Sequence, residues 1–370
     1  MSQFSTQLVN TIFDAQFNSF DDNYDFSRFG EPKLERENLL KKISSKTGKV
    51  LKKLKLYARR YLNRPNVHVL AQWLDHLQGL EWMYSKLEDE DSKELLIQLI
   101  AYRIMGYKAI KLPLNTPEYW KNLKEFESLR EDAQPLSLGF MDWYLYLYNA
   151  EPISFPLRLY CRSLMTQFWL QQYACPRGGV VFEQGQVILD GGGCWGDTAL
   201  NFAYQVGSNG KVYTFEFVPS NLKILQKNLD LNPDYKQRIE VAEYPLWSQS
   251  DLTMYVSDCG PASRVGFDPS GTSEDYTVKT ISIDDFVIQK HLATVSLIKM
   301  DIEGAEFEAL KGAKETLLRF KPNLALSVYH RPEHFYQLAQ FIDSLNLGYR
   351  FYLGHFTIHQ EETVLFAKAD

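Results

Sequence analysis

The sequence predicts an α/β protein: an open, mostly parallel sheet closed by an antiparallel C-terminal strand pair and preceded by an all-α N-terminal region. Three observations predict it. From Gln186 onward, short apolar or β-branched runs alternate with helical patterns, as βαβ units do. Before about Gln172, apolar residues recur at three- and four-residue intervals. Near the end, Tyr349-Arg-Phe-Tyr-Leu and Thr363-Val-Leu-Phe-Ala flank a polar turn, which reads as an antiparallel pair. At 370 residues the chain is long for one domain, so it divides into a helical region (1–172) and an α/β region (173–370).

In the first region, residues 1–30 are polar and aromatic with little periodicity, which suits an arm. Residues 31–64 carry twelve Lys or Arg against three Glu, with Val50, Leu51, Leu54, Tyr57, Ala58, Tyr61 and Leu62 at helical spacing. They read as a basic amphipathic helix. Its polar side is either a solvated face or a docking surface for an anionic membrane or acidic partner. Helical segments are expected near 67–86, 91–107, 117–130 and 140–149, with Asp91 as a cap. The abundant aromatics read as core.

In the second region, strands are expected at 187–190, 211–216, 238–242, 276–283, 296–301 and 323–329. Helices are expected near 197–206, 219–231, 303–319 and 333–345. Residues 251–280 read as an inserted loop or hairpin with Pro- and Gly-rich turns.

Composition excludes several classes. A net charge of −6 argues against general nucleic-acid binding. The four cysteines (161, 175, 194, 259) form no C-x-x-C pair, so structural zinc is not expected. Sparse cysteines suit reduced thiols and a cytoplasmic protein. The N-terminus lacks a basic segment followed by an apolar core, and no apolar run reaches the length of a membrane span.

The chemistry gathers where strands end. Val187-Ile-Leu-Asp190 runs into Gly191-Gly-Gly-Cys-Trp-Gly196-Asp197-Thr198. Glycines there allow close approach and positive φ. The run fits a dinucleotide turn (Gly191, Gly193, Gly196) and also a turn for S-adenosylmethionine (Asp190, Gly192, Gly196). Asp190 directly before the glycines, and the antiparallel C-terminal pair, favour the second. The N–H groups opening the helix at Asp197 and Thr198 can hold an anion. Glu216 ends the second strand, where a carboxylate accepts ribose hydroxyls, and Asn221 can hold the adjoining turn. Asp301, Glu303 and Glu306 cluster where a helix begins; dipole complementarity explains Glu306 but not Asp301, which ends an apolar strand. Tyr329 and His330 end the last central strand, and His330 is a candidate general base.

Together these stretches resemble the FkbM family of S-adenosylmethionine-dependent methyltransferases. The resemblance is carried by Val187-Ile-Leu-Asp-Gly-Gly-Gly with Gly196-Asp-Thr, and by Val212-Tyr-Thr-Phe-Glu216 with Pro219 and Asn221. Ile281-Ser-Ile-Asp-Asp285 and Ile298-Lys-Met-Asp-Ile-Glu-Gly-Ala-Glu306 with Leu310-Lys-Gly312 add to it. Ser327-Val-Tyr-His330 and Glu362-Thr-Val-Leu-Phe366 continue it. It implies a Rossmann-like methyltransferase sheet and methylation of hydroxyl oxygens on sugars or secondary metabolites. This chain departs from the family after Phe215-Glu216, where Phe217-Val218 precede the expected proline.

The cofactor residues expected are Asp190, Gly191, Gly192, Gly196, Asp197, Thr198, Glu216, Asn221 and Asp301. The catalytic residues expected are His330 as base, Asp301 orienting substrate, and Tyr329 lining the acceptor pocket. An alternative places a divalent cation on Asp301 and Glu303. The rival activities are an NAD-dependent oxidoreductase and a scaffold that merely holds S-adenosylmethionine.

Overall fold

The computed structural model describes residues 2–26, 65, 67–131, 134–138, 144–258, 260, 263–267 and 276–369. The basic segment 31–64 and Cys259 lie outside these.

The N-terminal region holds helices α1 (Gln3–Ala15), α2 (Val67–Asp75), α3 (Leu77–Lys86), α4 (Glu90–Met105) and α5 (Pro117–Glu127). A small antiparallel sheet of β1 (Leu136–Ser137), β2 (Tyr144–Asn149) and β3 (Arg158–Cys161) follows. The region is therefore not all-α. The described part of the expected 140–149 helix is strand β2, paired with β3 in register Tyr146–Cys161 through Asn149–Arg158. Its Tyr-Leu-Tyr-Leu-Tyr run buries Leu145 and Leu147 on alternate positions, and aromatic residues favour a pleated, half-buried surface. The α4 cap is Asp89 instead of Asp91: its carboxylate accepts the Ser92 N–H at 2.6 Å. Asp89 also binds Arg177 at 2.9 Å, and Arg177 donates to the Leu353 carbonyl, which ties the cap to the end of the chain.

The second region runs β4 (Val187–Gly191), α6 (Asp197–Gln205), β5 (Lys211–Phe215), α7 (Pro219–Leu231), α8 (Pro233–Lys236) and β6 (Ile239–Ala242). The insertion then forms an antiparallel sheet of β7 (Thr253–Ser257), β8 (Arg264–Gly266) and β9 (Tyr276–Lys279). Next come α9 (Ile283–Gln289), β10 (Leu297–Met300), α10 (Glu306–Lys311), α11 (Lys314–Phe320), β11 (Asn323–Ser327), α12 (His334–Ser344), β12 (Arg350–His355) and β13 (Thr363–Lys368). Two expectations change here. The strand expected at 276–283 stops at Lys279, and Ser282 caps α9 through the Asp285 N–H. The helix expected at 303–319 breaks at Gly312, where a side chain would meet the Trp247 carbonyl oxygen at 2.2 Å.

The main sheet has seven strands in the order β12-β13-β11-β10-β4-β5-β6. β4 pairs in parallel with both β5 and β10, β10 pairs in parallel with β11, and β13 runs antiparallel to β11 and β12. Neighbouring strand residues point to opposite faces. Leu189, Ile298, Leu324 and Phe351 join a core with Phe286, Leu310 and Phe335, and the helices of Phe4, Leu80 and Leu96 cover that face. Ile188, Leu297, Ala325 and Phe366 join a second core with Phe202, Leu225, Leu159 and Tyr119. The N-terminal region thus covers both faces of the sheet, which explains why Phe4, Trp73, Tyr84, Tyr102, Tyr119 and Tyr148 are buried. Among the described residues, no helix is long and apolar enough to cross a membrane.

Candidate active site

From β4 the chain proceeds outward through β5 and β6, then returns to the other side of β4 as β10 and β11. That reversal opens a crevice beyond the carboxyl ends of the strands. It holds a cleft of about 910 Å³, lined among others by Gly192, Asp197, Thr198, Glu216, Asn221, Asp301, Glu303 and Tyr329. Eight expected residues meet there. Asp190, Gly191, Gly196 and His330 stand behind the wall.

Asp190 is fully buried in β4. Thr198 and Thr214 donate hydroxyls to its Oδ2 at 3.0 and 2.8 Å, and the Lys299 ammonium sits 3.0 Å from Oδ1. Both oxygens are thus engaged inside the protein, which leaves any help to a cofactor to pass through the backbone of the turn. Lys299 also donates to the carbonyls of Gly191 and Gly192 at 3.0 and 2.8 Å, so the pair clamps the glycine turn from beneath. Burial disfavours the ammonium, but Asp190, Asp301 and Asp197 outweigh it and raise the Lys299 pKa. The signal for this lysine in the sequence is a charge inside the apolar run Leu297-Ile-Lys-Met300. Gly192 has φ +85°, and a side chain there would meet the Asp301 carbonyl oxygen at 1.9 Å. The glycine is demanded by the protein's own backbone.

Glu216 follows β5. Its Oε1 accepts the N–H groups of Phe217 and Val218 at 2.7 and 2.8 Å, and Asn221 donates to Oε2 at 3.1 Å. The two residues that depart from the family pattern therefore supply the amides that fix this carboxylate. Burial raises its pKa, and those donors partly offset the rise. Asn221 Oδ1 is a buried acceptor without a hydrogen-bond donor. Asp197 opens α6 behind Gly196, and burial, aided by the Asp190 charge, pushes its carboxyl up to about 6 against the opposing backbone N–H and Lys299.

On the far side, Asp301 accepts the Tyr173 hydroxyl at 2.9 Å and the Tyr329 hydroxyl at 3.0 Å. Burial pushes both phenols well above their usual range, so they remain donors. Tyr173 comes from the segment before the sheet and carried no sequence signal. Glu303 sits at the mouth with 57% of its side chain exposed and φ +57°. Burial, with Asp301, Glu306 and Glu362, pushes its carboxyl up to about 7 against the His330 charge; water at the mouth tempers the shift.

His330 does not line the cleft. Its Nδ1 lies 2.9 Å from Glu306 Oε1, and its Nε2 lies 3.5 Å from Asp301 and 3.7 Å from Glu303. Burial works against its charge, but the contact with Glu306 and the carboxylates of Glu306, Asp301 and Glu303 prevail. Its pKa is pushed up to about 9. A ring that holds its proton at neutral pH is a poor base, which weighs against the base role expected of it. Glu306 is fully buried. Burial would raise its pKa, yet His330 and His334 hold it well below the carboxylate range. Its Oε1 also accepts the Ile302 N–H at 2.9 Å, so it braces the loop after β10 instead of merely facing a helix dipole.

This sheet has the Rossmann-like fold of the methyltransferases. The crystal structure of Methyltransferase FkbM from Methylobacillus flagellatus superposes with a TM-score of 0.52 at 21% identity, covering 80% of this chain and 60% of that one. Residues 186–351 match the family model of the methyltransferase FkbM domain. The chain spans about 60% of the length of the Methylobacillus protein. A looser likeness links it to Aeropyrum pernix fibrillarin in complex with natively bound S-adenosyl-L-methionine (TM-score 0.36, 13% identity, 61% of this chain and 90% of that one). Another links it to an O-methyltransferase from Bacillus cereus in complex with SAH (0.34, 12%, 50% and 74%). No curated protein matches the chain.

Proposed function

We propose that the chain is an S-adenosylmethionine-dependent O-methyltransferase whose acceptor is a hydroxyl on a sugar, glycan or secondary metabolite. The observation that carries the reading is the pairing of Glu216 with Asn221 Oδ1, a fixed carboxylate and an orphaned buried acceptor on one cleft wall. Ribose hydroxyls and an adenine amino group are the donors such acceptors take. Asp197, at the opening of α6, suits the ammonium of the methionine part, and the adjoining backbone N–H groups suit its carboxylate. The residues therefore fit the cofactor.

When bound, S-adenosylmethionine supplies an electrophilic methyl group. The chain's own task is to orient an acceptor hydroxyl and receive its proton. Asp301, fixed by two phenols, orients that hydroxyl. Glu303, with a carboxyl pushed up to about 7, suits proton acceptance near neutral pH. His330 keeps the loop of both carboxylates in place from behind. Tyr329 forms part of the acceptor wall. The three described free cysteines accord with a cytoplasmic setting, and the basic segment 31–64 is offered as a contact for anionic membranes or acidic partners.

The test is incubation of the purified chain with methyl-labelled S-adenosylmethionine and a panel of hydroxylated sugars, glycans and metabolites. Mass spectrometry should find the label as a methyl ether. Label found only on nitrogen would overturn the O-methyl assignment.

A further inference from the structure

We propose that His330 Nε2 and the carboxylates of Asp301 and Glu303 form a site for one divalent cation at the acceptor end of the cleft. The proposal rests, for its role, on the O-methyl reading above. Carboxylate oxygens of Asp301 and Glu306 and a ring nitrogen of His330 all lie within 4.8 Å of one another. Acidic clusters are common, so the independent observation is the imidazole. His330 has 9% of its side chain exposed, and its buried Nε2 has no hydrogen-bond partner. Oxygens of the two carboxylates that line the cleft lie 3.5 and 3.7 Å from it. That spacing is too long for hydrogen bonds, yet a small side-chain adjustment, with the Nε2 proton displaced by the arriving cation, would let a cation sit between them.

The outer shell supports the same assignment. A metal-bound histidine ordinarily presents its second ring nitrogen to a carboxylate, which fixes the ring and the tautomer. Here Nδ1 faces the buried Glu306 at 2.9 Å, while Glu306 is itself held by the Ile302 N–H and by His334 at 3.2 Å. Glu306 is thus occupied as a brace, leaving Nε2 beside Asp301 and Glu303. Tyr173 and Tyr329 hold Asp301 in the same way. The third ligand, Glu303, has a mostly exposed side chain that is free to swing.

Two carboxylates and one imidazole suit Mn²⁺ or another first-row divalent transition-metal ion. Three protein ligands leave positions open toward the cleft. An acceptor hydroxyl bound there would have its pKa lowered and would release its proton to water at the mouth, Glu303 then serving as a ligand in place of the proton acceptor it is without the cation.

The experiment titrates Mn²⁺ into the full chain after chelator treatment, reading free Mn²⁺ by electron paramagnetic resonance with no cofactor present. The wild type should bind a single Mn²⁺. Both Glu303→Gln and His330→Asn should weaken binding roughly tenfold or more. Glu303→Gln, at an exposed position, guards against a folding defect in the second variant. S-Adenosylhomocysteine affinity, measured separately, should be unchanged in Glu303→Gln. Absence of Mn²⁺ binding, or equal binding in wild type and both variants, overturns the site. Failure of S-adenosylhomocysteine to bind the wild type overturns the cofactor reading instead, whatever Mn²⁺ does.

Discussion

Replacing Lys299 by Met tests the clamp beneath the glycine turn. The substitution keeps the length of the side chain and removes its charge. Asp190 would retain the hydroxyls of Thr198 and Thr214 on Oδ2, but Oδ1 would lose its ammonium in a fully buried place. The carbonyls of Gly191 and Gly192 would lose a donor as well. Breaking a buried pair by removing one partner costs about 3–5 kcal/mol, and the stranded carbonyls place the loss toward the upper end. Urea unfolding followed by tryptophan fluorescence, compared at equal slope, reads the change. Adding Asp190→Asn removes the stranded charge while its side-chain oxygen can still accept the two threonine hydroxyls. The double variant should therefore be more stable than Lys299→Met alone. A single variant within about 1 kcal/mol of wild type, or a double variant no better than the single, would refute the clamp. The pH course has a fixed sign. The folded-state pKa of Lys299 is raised above 10.5, so the contribution is whole below pH 10.5 and is lost as pH climbs through the raised value.

Glu216→Gln should weaken S-adenosylhomocysteine binding by roughly tenfold, since one charge-assisted hydrogen bond is lost while the fold keeps its Oε1 contacts; calorimetry reads it. Gly192→Ala should cost on the order of 3 kcal/mol or more from strain at φ +85° and the contact with the Asp301 carbonyl, seen as a lower urea midpoint. The Asp197 carboxyl is raised from 3.8 to about 6 in the fold, so stability falls as pH rises through that window. Asp197→Asn should flatten that fall, and it should weaken S-adenosylhomocysteine binding above pH 6 if this carboxylate meets the ammonium. Unchanged affinity would remove Asp197 from the cofactor wall.

The sheet was legible because its strands are short apolar runs with a glycine turn or a carboxylate at the end. Val187–Gly191 and Leu297–Met300 could be placed without knowing their neighbours. Glu216 and Asp301 were legible for the same reason: a charge that ends an apolar strand in an open sheet falls at the crevice. Side-chain direction was not legible. Asp190 and Asp301 both end apolar strands, yet one turns into a lysine clamp and the other toward the cleft, because a partner on a different strand decides it. His330 met the same limit, since its contact with Glu306, which raises its affinity for a proton, comes from a different element. In the N-terminal region, Tyr144–Asn149 read as helix because leucine and tyrosine serve either period. Pairing with Arg158–Cys161 settled the matter, and no local pattern announces that partner.

The most direct measurement is calorimetric titration of the intact chain with S-adenosylhomocysteine beside NADH, repeated with Glu216→Gln. Saturable binding of S-adenosylhomocysteine, weakened by that substitution, with no heat from NADH, is the expected result. Saturable NADH binding with none of S-adenosylhomocysteine would contradict it.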